Sequence, residues 1–242
     1  MTGLKLLDLT CDTPAENLAC DEVLLDACEA GEHPGVLRFW EAQQTFVVLG
    51  YGNRAASEAN VDACRKRGIG ILRRCSGGGA VLQLPGCLNY ALVLNFENTP
   101  GLHSITDANC TIMRRHEKVV SALLGQPIGI QGVTDLTWGE LKFSGNSQRR
   151  KRRSLLFHGT FLLDAGLELI EECLRSPSKE PEYRQHRSHR NFVTNLNLSA
   201  VGLKNGLAEA WRAGDRLEMN LGEPIRELVE TKYGREEWNL KW

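Results

Sequence analysis

No CxxC pair occurs among the eight cysteines, which stand at positions 11, 20, 28, 64, 75, 87, 110 and 173 of a 242-residue chain. Such spacing offers neither a zinc ribbon nor the disulfide frame of a small secreted domain. The cysteines read as free thiols, and the expected location is a reducing cytoplasm. An excess of one charge is missing too: 29 Lys and Arg face 30 Asp and Glu, for a net charge of −1. That balance exerts no global pull toward nucleic acid or a membrane, so any attraction for anions must be local. No run approaches the roughly 18 apolar residues of a membrane span. The opening MTGLKLLDLT has no apolar core behind a basic head, so no secretory leader is expected. Also absent are a GxGxxG opening a βαβ unit and a GxxxxGK[ST] loop, which argues against Rossmann and P-loop readings. What is present is a hydrophobic content of 42%, enough for an ordinary globule with a sizeable core.

Strand-like and helix-like stretches interleave along the chain. Residues 4–9 read as a strand. Asp12-Thr13-Pro14 starts a helix with Thr13 as cap and Pro14 in the first turn, and Gly31 ends it. Residues 36–40 and 45–49 read as strands paired around Ala42-Gln43-Gln44, followed by Gly50-Tyr51-Gly52-Asn53. A short helix at 61–67 stops at Gly68. A longer one covers about 106–124, capped by Thr106 or Asp107, and its Arg114-Arg115-His116 cluster reads as a solvated face. DLTW, from Asp135, and ELKF, around Lys142, are strand-like. Leu141 and Phe143 flank Lys142, so alternation puts the lysine on the opposite face from both. The basic run from Arg149 to Arg153 lacks interleaved aromatics and fits a solvated hairpin tip better than a nucleic-acid patch. A docking surface for an acidic carrier domain is its second possibility. Residues 176–190, SPSKEPEYRQHRSHR, have no apolar periodicity and read as a long loop of the lid or binding type. Amphipathic helices at 199–212 and 224–233 follow. The pattern predicts an α/β (α+β) fold with mixed sheets flanked by helices, in one domain covering 1–242.

The chemistry concentrates in ILRRCSGGGAVLQLPGCLNYALVL, residues 71–94. Gly77, Gly78 and Gly79 let the backbone approach a ligand and turn successive N–H groups toward one anion. Arg73 and Arg74 add donor forks that suit phosphate or carboxylate. Asn89 interrupts an apolar strand, where an amide is costly unless something bonds it. Downstream, His158 in LLFHGTFLLD has apolar neighbours and reads on its own as a satisfied core histidine, with no His or Cys cluster around it for a metal.

The stretch RRCSGGGAVLQLPGCLNYALVL resembles the RRxSGGGAVxxxxGxLNY signature of lipoate-protein ligases and their octanoyltransferase relatives. A second block, GVTDLTWGELKFSGNSQRRKRRSLLFHGTFLLD from Gly132, resembles the family's NDL, K-x-SG-x-x-Q and HGT segments in the same order. The likeness extends over nearly the whole chain. Biotin ligases match less well, since their GRGR-type motif is missing. The resemblance implies the catalytic-domain fold shared by biotin and lipoate ligases. It also implies activation of lipoate or octanoate by ATP, with Mg²⁺, to an acyl-adenylate, followed by transfer to a lysine of a lipoyl-carrier domain.

By the same resemblance Lys142 is the catalytic lysine over the acyl carboxylate and α-phosphate. Arg73 and Arg74 hold phosphate or support the glycine loop, which Ser76 opens, and Gly77, Gly78 and Gly79 wrap the acyl-adenylate. Asn89 bonds its polar centre, and Asp135 faces Mg²⁺ or the nucleotide. Ser144, Gly145, Gln148, His158, Gly159 and Thr160 complete the implied substrate site, and residues 176–190 resemble the family's adenylate-binding loop.

The rival of the same superfamily is ATP-independent octanoyl or lipoyl transfer, or amidotransfer, through a cysteine thiolate. One branch carries that cysteine where this chain has Leu155, another shortly before the position of Asp135, and no cysteine occurs between Cys110 and Cys173. A non-catalytic acyl-carrier binding protein is a further alternative, disfavoured by an intact Lys142 and SGGG block. Many such ligases continue into a C-terminal accessory domain, whereas this chain stops at Trp242. The expectation is a separate accessory subunit, with Leu240 and Trp242 suited to the contact.

Overall fold

Residues 3–241 of the computed structural model are described here. The chain opens with strand β1 (Lys5–Asp8), helix α1 (Pro14–Ala30), β2 (Gly35–Glu41) and β3 (Phe46–Leu49). Short helices α2 (Ala55–Glu58) and α3 (Val61–Lys66) lead to β4 (Gly70–Arg73), β5 (Val81–Gln83) and β6 (Cys87–Asn95). After the long helix α4 (Ile105–Leu124) come β7 (Gly129–Gln131), β8 (Asp135–Trp138), β9 (Leu141–Arg150) and β10 (Ser154–Leu162). Helix α5 (Leu167–Cys173) precedes an extended loop carrying one 3-10 turn, Glu182–Arg184. The chain then runs through α6 (Ala200–Trp211), β11 (Asp215–Arg216), α7 (Gly222–Leu228), a π turn (Val229–Tyr233) and α8 (Glu236–Asn239).

The strands form two sheets, one in the order β11-β1-β2-β6-β10-β9-β8-β7 and one in the order β4-β3-β5. β1 runs parallel to β2, while β2, β6, β10 and β9 pair antiparallel, so the large sheet is mixed. All nine residues of β6 are buried, as both faces of a central strand covered by helices require. On one face Leu92, Leu94 and Phe157 pack with Ile112 of α4 and Leu203 of α6. On the other, Ala91, Val93 and Leu156 meet Leu24 of α1 and Ile225 of α7. A third cluster joins the small sheet to α5 through Val47, Leu82 and Ile170. No described helix is long and apolar enough to cross a membrane.

Local signals act where they were read, with some corrections. Thr13 and Glu16 form a reciprocal capping box at α1, and Gly31 closes it at φ 85°. The strands expected to pair around Ala42-Gln43-Gln44 do not pair: β2 joins the large sheet and β3 the small one. Both are buried on both faces, so periodicity could not say which sheet each enters. Helix α4 is capped by Ser104, with Asp107 as the returning member of its box, rather than by Thr106 or Asp107.

The Arg114-Arg115-His116 cluster is not a solvated face. His116 is fully buried, accepts from Trp211 Nε1 at 3.0 Å, and has its pKa driven down to about 3 by burial and by Arg115. The basic run does turn the β9–β10 hairpin, yet its members are tethered. Lys151 pairs with Asp26, the Arg153 backbone donates to Glu29 at 3.0 Å, and Arg150 donates to Leu102 O at 2.8 Å. Leu240 is exposed, and Trp242 lies outside the described residues.

Candidate active site

Between the two sheets lies a cavity of about 480 Å³, within the range of small-molecule sites. Its apolar wall includes Leu18, Trp40, Val48, Val81, Leu162, Ile170 and Leu174. Its polar end gathers Arg74, Gly78, Gly79, Asp135, Lys142, Ser144, Gly145 and His158. Apolar walls beside the cations Arg74 and Lys142 suit an amphiphile with one anionic head.

The glycine loop is held from below. Arg74 folds beneath it and donates to Gly77 O at 2.6 Å, Gly79 O at 2.9 Å and Ser76 Oγ at 3.0 Å. Gly78 adopts φ 85°, and a Cβ there would meet Arg74 Nη2 at 2.9 Å. At Gly50 a Cβ would lie 2.0 Å from Gly78 O, so the Gly50 turn buttresses the loop from behind. Burial pulls the Arg74 guanidinium down to about 10. No carboxylate pairs with it among the described residues, so an arriving anion would relieve that cost.

Arg73 is placed otherwise than as a phosphate ligand. It is completely buried and outside the cavity. It donates to the carbonyls of Gly50, Tyr51 and Asn53 on one side and of Trp238, Asn239 and Lys241 on the other. With its donors saturated it ties the turn of residues 50–53, which lies behind the glycine loop, to residues 238–241.

Lys142 extends from β9 into the cavity while Phe143 enters the core. Its Nζ lies 2.9 Å from Asp135 Oδ1 on the neighbouring β8. Gly145 makes room for it, since a Cβ at 145 would sit 2.9 Å from both Cε and Nζ of the lysine. The returning loop fixes its backbone: Lys142 N donates to Phe192 O at 2.8 Å, and Thr194 N donates to Lys142 O at 2.9 Å. Tyr183 of the same loop donates to Asp135 Oδ2 at 2.8 Å. Both oxygens of Asp135 are thus engaged, and no group of three or more His, Cys, Asp or Glu fit to hold a metal occurs among the described residues.

His158 stands between Ser76 Oγ at 2.6 Å and Asp21 Oδ2 at 2.9 Å. Asp21 in turn accepts from Arg38 Nη1 at 2.6 Å. The imidazole thus bridges the α1 carboxylate on its Nδ1 side and the Ser76 hydroxyl on its Nε2 side. Composition alone would suggest a Ser-His-Asp hydrolase. Ser76, however, is fully buried, outside the cavity, and already accepts from Arg74, so it is no available nucleophile. The chain Arg38–Asp21–His158–Ser76–Arg74 positions the glycine loop against the central sheet.

The remaining expected residues divide. Asn89 lies in the wall, and its amide is satisfied by Gln83 at 2.8 Å and Thr160 at 2.6 Å. Ser144, Gly159 and Thr160 line the cavity; Gln148 does not, being tied to Ile105 O and Asn109 at the start of α4. Gly77 does not line the cavity, and its carbonyl accepts from Arg74 and Ser147. Asp21, Arg38, Gln83 and Tyr183 were missed by sequence reading, and only Asp21 gave a signal, as a lone carboxylate on the apolar stripe of α1. None of the eight cysteines lines the cavity. All are unpaired, and burial raises Cys75 to about 12 and Cys87 to about 11.

Comparisons with known proteins agree with this geometry. An octanoyltransferase LipM of Brevibacillus brevis is 27% identical over 95% of both chains. Lipoate-protein ligase A subunit 1 of Thermoplasma acidophilum is 29% identical, covering 99% of this chain and 97% of that one. Among solved structures, a bi-partite lipoate protein ligase from Thermoplasma acidophilum, studied with its E2 lipoyl domain, superposes with a TM-score of 0.81 at 26% identity, over 99% and 97% of the two chains. A lipoate-protein ligase A bound with ATP gives 0.80 at 25%, over 99% of both. The family model of the lipoyl protein ligase A/B catalytic domain matches residues 13–202, and the chain belongs to that family.

Proposed function

We propose that the chain is the catalytic part of an ATP-dependent lipoate-protein ligase. The observation that carries this reading is the cavity's pairing of a built-in lysine, Lys142, with the absence of any lining thiol. An acyl-thioester route needs a cysteine at the reacting carbonyl. Leu155, where one transferase branch has its cysteine, packs in the core instead.

In the first half-reaction a carboxylate oxygen of the acid attacks the α-phosphorus of ATP. The bond to the bridging oxygen breaks, pyrophosphate leaves, and an acyl-adenylate remains. In the second, the neutral amine of a carrier lysine attacks the carbonyl carbon, the C–O bond to AMP breaks, and the amine loses a proton to give the amide. In this reading Lys142 Nζ meets the charge that builds on the carbonyl and the α-phosphate, and such a preorganised donor contributes on the order of a hundred- to a thousand-fold in rate. Gly78 and Gly79 offer backbone N–H groups, Arg74 holds their shape, and the apolar wall takes the acyl chain. Asp135 is the carboxylate that would meet Mg²⁺ carried by the nucleotide phosphates, an ion that neutralises charge there when bound.

Incubation with ATP, Mg²⁺ and lipoate or octanoate, followed by mass analysis, tests the proposal. Acyl-AMP and pyrophosphate are the expected products. The transferase reading is favoured by the octanoyltransferases among the relatives, and an acyl mass on any cysteine during turnover would establish it instead. A lipoyl-carrier domain is the proposed acceptor. The bi-partite relative supports a separate accessory subunit, and its addition should raise the adenylation rate. A rate that no added subunit changes would leave a self-sufficient chain.

A further inference from the structure

Outside the cavity, two cysteines meet where the loop after β1 turns into helix α1. Cys20, on α1, is fully buried, whereas Cys11, in the loop, is only half-buried. The Cys20 thiol donates a hydrogen bond to the Cys11 sulfur. Arg38 Nη2 reaches the same sulfur at 3.7 Å. The backbone of Cys11 is held as well: its N–H donates to Asn17 Oδ1 at 3.0 Å, and its carbonyl accepts from Asn17 Nδ2 at 3.0 Å. Asn17 Oδ1 also accepts from Arg38 Nη2 at 2.7 Å. Arg38 begins the chain that runs through Asp21, His158 and Ser76 to the glycine loop. Cys11 thus stands at the solvent end of that chain.

A thiol reacts as its thiolate, and a cationic donor beside it favours that form. The hydrogen bond from Cys20 and the charge of Arg38 pull the Cys11 thiol below its usual range, against the effect of burial. The same hydrogen bond and burial push the Cys20 thiol up. One sulfur is therefore a nucleophile with access to solvent, and the other is a neutral thiol in contact with it. Cys64 and Cys173 form an internal contrast. They too share a hydrogen bond, yet both are fully buried, and burial raises Cys64 to about 11. Proximity is common to both pairs, and access to solvent separates Cys11 from the other pair.

We infer that Cys11 and Cys20 are a reversible dithiol–disulfide pair, closed by hydrogen peroxide, whose closure loosens the hydrogen-bond chain bracing the glycine loop. The Cys11 thiolate attacks one oxygen of the peroxide. The S–O bond forms, the O–O bond breaks, and hydroxide leaves and takes up a proton to give water and a sulfenic acid. The Cys20 sulfur then attacks the Cys11 sulfur, the S–O bond breaks, and the oxygen departs as a second water with the Cys20 proton. Two electrons pass from the sulfurs to the peroxide, and the chain is lighter by two hydrogens. Closing the bond draws the sulfurs to about 2.0 Å. Cys11 moves away from Arg38, and its backbone pulls on Asn17, which holds the same guanidinium. The device is independent of which acyl chemistry the cavity performs.

The test treats the reduced, folded chain, carrying Cys110→Ser to remove its exposed thiol, with hydrogen peroxide and maps the product by mass. Cleavage after Glu16 and Glu22 leaves Cys11 and Cys20 on separate peptides held together only by the new bond. That linked pair is the expected product, dithiothreitol should separate it, and Cys64 and Cys173 should stay reduced. Cys20→Ala should stop at a Cys11 sulfenic acid that dimedone traps, and Cys11→Ser should give neither product. Hydrogen exchange reads the coupling. Amides of residues 76–79 should exchange roughly 5- to 10-fold faster in the oxidised chain, as the loss of one ordinary hydrogen bond along the chain would cause, and slow again on reduction. Peroxide consumed with Cys11 still reduced, or a disulfide joining Cys64 to Cys173 instead, would overturn the inference. Equal exchange at 76–79 in the reduced and oxidised chains would overturn it as well, by cutting the pair off from the loop.

Discussion

Replacing Lys142 by alanine separates chemistry from scaffolding, because the lysine's links to the fold run mostly through its backbone. Its N–H and C=O pair with Phe192 and Thr194, contacts that alanine keeps. What alanine loses is the ion pair to Asp135, whose side chains are 28% and 14% exposed for Lys142 and Asp135. Pairs this accessible contribute about 0–1 kcal/mol after screening. For a chain of this size that corresponds to a fall of at most roughly 2–4 °C in melting temperature. The catalytic loss should be far larger, on the order of a hundred- to a thousand-fold in acyl-AMP formation. Lys142→Arg should not recover it fully, since a planar fork replaces a point charge. The assay is single-turnover formation of acyl-AMP read by mass, beside thermal melting of the same preparations. Alanine-variant adenylation within a few-fold of wild type would refute the assignment of Lys142. A collapse of the melting temperature would refute the separation of its roles.

Replacing all eight cysteines by serine or alanine should leave ATP-dependent activity in place while lowering stability, because none lines the cavity; an acyl-thioester detected on any thiol would contradict this. Residues 176–190 should be cleaved more slowly by protease when acyl-adenylate is bound, and Tyr183→Phe, which frees Asp135 from the loop, should raise cleavage in the unliganded chain. Equal cleavage in all three states would count against a lid. His116 has its pKa lowered in the fold, so between about 3 and 6.5 the unfolded chain binds more protons and stability falls as pH drops through that window. The loss from pH 7 to 5 should be about 2 kcal/mol from this residue, and His116→Gln should flatten that part of a urea-melt series; an unchanged slope would remove His116 as its source.

Much of the fold was legible because local chemistry and tertiary packing agree. The Thr13 cap, Pro14 and Gly31 delimit α1 at the residues where the helix begins and ends. What failed shares one cause. A strand buried on both faces, such as β2 or β3, carries no alternation to show which neighbour it joins. Likewise, Arg114, Arg115 and His116 are adjacent in sequence but point around the helix, and only packing against Trp211 of α6 decides that the histidine is inside. Charge in a short run says nothing of the face each residue occupies.

At the site the same limit separates Arg73 from Arg74. Arg73 ends β4 and Arg74 follows it, and alternation sends them to opposite sides without saying which side holds the ligand. Hydrogen-bond demand separates them: Arg73 is saturated by the turn of residues 50–53 and by residues 238–241, whereas Arg74 shapes the glycine loop and lines the cavity. His158 shows the converse. Its apolar neighbours argued for a satisfied core residue, and it is satisfied, but by Asp21, 137 residues away, and by Ser76 of the glycine loop. A histidine that lines the cavity thus also braces the glycine loop beside it. Asp21→Asn would keep the shape yet present an amide to Nδ1, so the imidazole tautomer, Ser76 and the glycine loop should all loosen together.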